Sequence, residues 1–163
     1  MRAALILPCA LASLACARAA PAGGGSASTP LPVDSLRGTI EVVGSEPATS
    51  IALLLDGGRR AVTLQGERPL LDRLSALEVT VWGELVRPGV FRVDRFAVRA
   101  ADGVAAVDGV LAQARGGWAL VTADGRHHPI SRLPQALAGM AGARVWIAGS
   151  IDGPSSFGVI RQP

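Results

Sequence analysis

The 163-residue chain has no lysine, no asparagine and no tyrosine, and only two cysteines and two histidines. All 16 basic residues are arginine. The missing residues share AT-rich codons, so a GC-rich coding sequence accounts for the bias without a functional cause. Both cysteines, Cys9 and Cys16, precede Ala17, so the rest of the chain can build neither a disulfide framework nor a cysteine metal cluster. His127 and His128 are adjacent. On a strand they point to opposite faces and are poorly placed to grip one metal. Charge of one sign is also scarce: 16 arginines face 13 acids, a formal +3. A nucleic-acid binder gathers a larger basic excess on one face, so no nucleic-acid partner is expected.

What is present begins at the N-terminus. Arg2 supplies one positive charge, and Ala3 to Ala15 is apolar apart from Pro8 and Ser13. That run is too short to span a bilayer. It ends Leu11-Ala12-Ser13-Leu14-Ala15-Cys16, small residues leading to a cysteine. The arrangement resembles a bacterial lipoprotein signal peptide over residues 1–15, with Ser13 where the motif favours an aliphatic residue. The resemblance implies that Cys16 is lipidated, by palmitate-type acyl chains, and becomes the first residue of a membrane-anchored envelope protein. Two or more chains make such anchoring stable, at about 0.8 kcal/mol per buried methylene. Ala17, in place of an inner-membrane retention aspartate, implies the outer membrane, facing the periplasm. Plain secretion after Ala15 or Ala20, or a cytosolic chain with an unusual start, are the alternatives.

Residues 16–34 read as a Gly/Ser/Pro/Ala tether without periodicity, reaching about 20–25 Å as a random coil. The remaining length suits one ordinary domain or two very small ones. Self-comparison favours two. Shifted by 66 positions, Leu74, Val79, Val81 and Gly83 fall on Met140, Val145, Ile147 and Gly149, and Pro88, Phe91 and Val93 on Pro154, Phe157 and Val159. Upstream, Asp56-Gly57 and Val62-Thr63 meet Asp124-Gly125 and Ile130-Ser131, and Gly38 and Gly109 open the two copies. Residues 35–99 and 104–161 are thus expected to be two copies of one fold.

In the first copy, Gly38–Val43 alternates like a half-buried strand, and Ile51–Leu55 is a short apolar strand. Asp56-Gly57-Gly58 turns back into Arg59–Leu64. Pro69–Leu74 has the leucine spacing and leading proline of a short helix. Val79, Val81 and Gly83 share one strand face, Arg87-Pro88-Gly89 turns, and Val90–Val98 closes the unit. Strand, strand, strand, helix, strand, strand in so few residues resembles the OB-fold, a five-stranded barrel. The fold expected is therefore mainly β: two tandem five-stranded OB-like barrels, each with a short helix between its third and fourth strands. An SH3-like barrel and one fused β-sandwich are the alternatives. The resemblance is to small exported bacterial OB-type domains, whose role is not defined.

Chemistry-bearing constellations are sparse. Asp124, His128 and Ser131 lie along one hairpin and cannot converge as orienter, base and nucleophile. The Asp-Gly pairs lack the oxygen ring calcium needs and the lysine of a phosphate loop. No enzyme activity, cofactor or metal site is expected. The aromatics carry more, because OB-folds stack ligands on exposed rings. Phe91 and Phe157 alternate with Val93 and Val159 and belong to cores. Trp82 and Trp146 fall on the face opposite the apolar one, and Trp118 opens the second strand of its copy. These tryptophans either pack between the copies or form a ligand platform with Arg59, Arg60 and Arg144. Arg87, Arg92, Arg95 and Arg99 mix odd and even positions, so on a regular strand they form no single stripe. Together these readings give a lipid-anchored envelope protein with a non-catalytic binding or scaffolding role, alternatively one that binds an oligosaccharide or a polyanionic envelope ligand through a barrel face, and as a second alternative an enzyme whose site is not readable from the sequence.

Overall fold

The computed structural model describes residues 35–163 apart from 46 and 115; the signal peptide, Cys16 and the tether lie outside the described residues. The architecture is mainly β. Ten strands run β1 (Ser35–Ser45), β2 (Ala48–Leu55), β3 (Arg60–Gln65), β4 (Leu77–Arg87), β5 (Val90–Ala101), β6 (Val104–Ala114), β7 (Gly117–Val121), β8 (His127–Ile130), β9 (Arg144–Ser150) and β10 (Gly153–Arg161).

The first five strands close into a barrel. β1 pairs with β2 and β4, β2 with β3, and β4 with β5, all antiparallel. A short parallel pairing, Thr63–Gln65 against Val90–Arg92, joins β3 to β5 and shuts the ring. The alternation of β4 explains its place. Leu77, Val79 and Val81 are buried in the lumen while Thr80 and Trp82 face out. Ile40, Leu53, Leu64, Phe91 and Val98 fill the lumen from the other strands. A five-residue helix, α1 (Arg68–Asp72), carries a proline in its first turn and drops Leu70 and Leu71 into one end of the barrel. Gly38 is where β1 crosses closest to β2: a β-carbon there would collide with the carbonyl of Leu54.

The last five strands repeat four of those five pairings: β6–β7, β7–β8, β6–β9 and β9–β10, all antiparallel. Gly109 repeats the crossing, with a β-carbon meeting the Val121 carbonyl at 2.5 Å. Gly38 lies opposite Val79 and Gly109 opposite Val145, the residues the sequence repeat aligns. Leu111, Leu120, Ile130, Leu137, Val145 and Ile147 form a second core.

Two expectations need correcting for this half. Among the described residues β8 and β10 do not pair, so the ring of the second copy stays open. The expected helix is a three-residue 3-10 turn, Gln135–Leu137. Gly139 and Gly142, both at positive φ, and the extended Ala138 end it at once, whereas the first copy has Leu-Leu-Asp-Arg-Leu at that place. Leu137 still fills the end of its sheet, completely buried, in the repeat position of Leu71.

The halves are not separated by a linker. β5 turns through Asp102-Gly103 straight into β6, and Ala100 and Ala101 pair with Ala105 and Val104. One face of β9 turns toward the first core. Ala148 and Ile160 belong to that core, with Ala106 and Trp146 packed against it.

Candidate functional site

Two side-chain groupings on β4, β5, β6 and β9 stand out from ordinary packing. The first lies at the junction of the copies. Asp108 is the one buried charged residue among those described, 8% exposed. One carboxylate oxygen accepts the amide of Val98 on β5 at 2.8 Å. The other accepts the Arg144 guanidinium from β9 through Nε at 2.9 Å and a terminal nitrogen at 2.5 Å. Arg144 also donates to the carbonyl of Phe96 at 2.9 Å and lies over the Phe96 ring at 4.1 Å. The side chain of Arg144 is 27% exposed. No buried side-chain polar atom among the described residues lacks a partner, and the partners here come from both copies, so the group acts as a clamp. Removing one member leaves a desolvated charge, which costs about 3–5 kcal/mol. Beside it Trp146 lies flat across Gly158, where a β-carbon would sit 2.6 Å from the indole nitrogen.

The second grouping is on the outer surface of the closed barrel. A bulge in the β4–β5 ladder sets Gly83 opposite Val93 but Trp82 opposite Arg95, leaving Asp94 as the extra residue. Side chains directly opposite share a face. Arg92 lies opposite Glu84 and Arg95 opposite Trp82, so the bulge brings both arginines onto the Trp82 face. The missing β-carbon of Gly83 is what lets the Arg92 carbonyl approach. The expectation of a split arginine row assumed a regular strand and fails at this bulge. A second register shift, at Val79–Glu78, leaves Arg99 beside Thr80, to which its Nε donates at 3.0 Å. The Arg95 and Arg99 guanidiniums lie 4.0 and 5.9 Å from the centre of the Trp82 ring.

The flanks of this face neutralise themselves. Arg37 pairs with Glu78 at 2.6 Å, and Arg92 pairs with Glu84. Among the described residues neither Arg95 nor Arg99 has a carboxylate within ion-pair distance. Arg99 continues into a cleft of about 370 Å3 between the copies, lined also by Asp108, Thr122, Arg126 and His128. There the Asp124 carboxyl is held below its usual range, first by the Thr122 hydroxyl and then by the Arg126 amide.

The five residues read as a possible platform separate. Trp82 stands on β4 under two arginines, and Trp146 and Arg144 face the junction from β9. Arg59 and Arg60 are exposed at the β2–β3 turn, where Arg60 pairs with Asp56 at 2.7 Å. Of the five, only Arg144 lines any of the five clefts described, a cavity of about 150 Å3 at the junction with Glu67, Phe96 and Arg161. Trp118 is half-buried against the second core. His127 is exposed and His128 half-buried on β8, and no set of three or more His, Cys, Asp or Glu side chains converges among the described residues. Sequence reasoning missed Asp108 and the Trp82–Arg95–Arg99 group. Signals for both exist: one acid inside the apolar run Val104–Leu111, and a glycine directly after Trp82.

No family model matches the chain, and neither a curated protein nor a solved structure matches it significantly.

Proposed function

We propose that the protein is a lipid-anchored cell-envelope component with a non-catalytic binding or scaffolding role, held at the outer membrane through Cys16 and carrying two OB-like units on a short tether. The second unit is then a variant of the first, opened along the β8–β10 seam. The observation that carries the scaffolding part is the junction clamp. Asp108 and Arg144 tie β6 and β9 to the backbone of β5, and Ile160 and Ala148 enter the first core. A body of this kind presents its outer faces in fixed relation, which a scaffold requires and a flexible pair of modules lacks. The anchoring part rests on the Leu-Ala-Ser-Leu-Ala-Cys run and the tether that follows it.

A second reading, that a barrel face binds an oligosaccharide or a polyanion, is favoured by the Trp82 face, where two guanidiniums lie against one indole without an acidic partner among the described residues. For the anchor, fractionation of cells making Cys16→Ala should find the protein in the soluble envelope fraction while the parent stays with membranes. Retention of the variant in membranes after an alkaline wash would remove the anchoring reading.

A further inference from the structure

We propose that the outward face of β4 and β5, centred on Trp82, Arg95 and Arg99, is a binding site for phosphate groups carried on a sugar. The inference deepens the second reading above and rests on it, replacing a general polyanion by one chemical class and a defined site. The argument starts from charge. Two guanidiniums are gathered within 4.0 and 5.9 Å of one ring centre. Their mutual repulsion is opposed by the π-face of Trp82 and, for Arg99, by the Thr80 hydroxyl, a neutral acceptor, with no direct ion pair to either among the described residues. Six other arginines, Arg37, Arg60, Arg68, Arg92, Arg126 and Arg161, each pair with a surface carboxylate. Arg95 and Arg99 hold none among the described residues.

Geometry narrows the ligand. A guanidinium over an indole face keeps the edge that carries its N–H pairs in its own plane, unoccupied by the ring. That edge matches a tetrahedral oxyanion bidentately. The Nε of Arg99 is committed to Thr80, so its terminal nitrogens remain for the anion. Each fork is therefore free to engage a phosphate. The neighbouring ion pairs Arg37–Glu78 and Arg92–Glu84 limit the net positive field to this spot, which disfavours a long uniform polyanion. A sugar attached to the phosphate has somewhere to go: Arg99 opens onto the inter-copy cleft, where His128 and the carboxylates of Asp108 and Asp124 line the wall and Thr122 and Arg126 are already bonded to Asp124.

The test uses the full chain extracted from membranes in a neutral detergent, titrated calorimetrically at low salt with sodium pyrophosphate, glucose 1-phosphate and polygalacturonate. Saturable binding of both phosphates is expected, weakened roughly tenfold or more in R95Q/R99Q, since each lost contact is a charge-assisted pair. R59Q/R60Q, at the distant hairpin turn, should bind as the parent does and serves as the charge-matched control. Trp82→Phe keeps an aromatic face and should bind within a few-fold of the parent, and its thermal unfolding checks that the ladder is intact. Binding of pyrophosphate without glucose 1-phosphate would overturn the sugar part of the assignment. Equal phosphate affinity in R95Q/R99Q and parent would overturn the site. Binding of polygalacturonate alone would overturn the phosphate assignment and leave the polyanion reading standing, whereas no binding of any of the three would remove both.

Discussion

The two copies share four antiparallel pairings and part company at the fifth. In the first, the amide of Thr63 donates to the Gly89 carbonyl at 2.8 Å, and a parallel pairing with β5 follows. In the second, the amide of Ser131, the repeat counterpart of Thr63, donates instead to the side chain of Asp152 at 2.6 Å. One carboxylate thus stands where a strand pair would be. A backbone seam is insensitive to pH and extends along the chain; a carboxylate seam is a single bond that depends on ionisation. The closed copy also has a helix to fill its end, and the open copy has a 3-10 turn and the neighbour it leans on.

That leaning makes the junction the point of greatest effect. Asp108→Ala strips Arg144 of its carboxylate and Val98 of its acceptor. It should cost about 3–5 kcal/mol in urea unfolding. It should also split one transition into two, with the open copy melting first. Replacing both partners, Asp108→Leu with Arg144→Met, should recover the part of that loss that comes from the stranded charge, leaving about 1–3 kcal/mol for the unpaired Val98 amide. A single cooperative transition of unchanged midpoint in Asp108→Ala would mean that the copies do not depend on the clamp.

Smaller effects separate the copies at their crossing glycines. Gly38→Ala drives a methyl into the Leu54 carbonyl of a closed ring that has no free edge along which to relax. Gly109→Ala meets the Val121 carbonyl on a strand whose sheet has an open side. Overpacking of this kind costs about 1–3 kcal/mol. Gly38→Ala should lie at or above the top of that range and Gly109→Ala near the bottom, by denaturant midpoints on matched samples. The reverse order would show the second copy to be the stiffer one.

The smallest effect is on the carboxylate seam. The Ser131 amide holds the Asp152 carboxyl below its ordinary range. A lowered native pKa means that the unfolded state binds the proton first as pH falls. The seam's contribution is therefore full above the ordinary carboxylate range and is lost as pH drops through the lowered native value. Exchange of the Ser131 amide, corrected for its intrinsic rate, should accelerate over that acidic window in the parent. In Asp152→Asn it should be faster at neutral pH and flat across the same window.

Much of this was legible in the chain. Alternation in Leu77–Val81 and the apolar run Ile51–Leu55 mark lumen-facing strands, and the repeat places Gly38 with Gly109 because both copies need the same close crossing. The helix of the first copy follows from Pro69 and its leucines. The open ring was hidden for a physical reason: whether β8 meets β10 depends on a pairing between segments far apart in sequence, and Ser131 and Asp152 look like ordinary turn residues. The Trp82 face was hidden by register. A period of two counted from Val90 separates Arg92 from Arg95, and only the bulge beside Gly83 returns them to one side. The clamp was obscured because Asp108 and Arg144 lie on strands that become neighbours only after β7, β8 and the 3-10 turn have been placed.

Amide hydrogen exchange on the parent protein at neutral pH bears on the contrast between the copies without any substitution. The amide of Thr63 and the β3–β5 ladder amides should exchange only through global unfolding, as befits a closed ring. The β10 amides facing the unpaired side should exchange orders of magnitude faster, with Ser131 the one protected site at that seam. Equal, global-limit protection along β3–β5 and β8–β10 would mean that both rings are closed, and the difference between the copies would disappear.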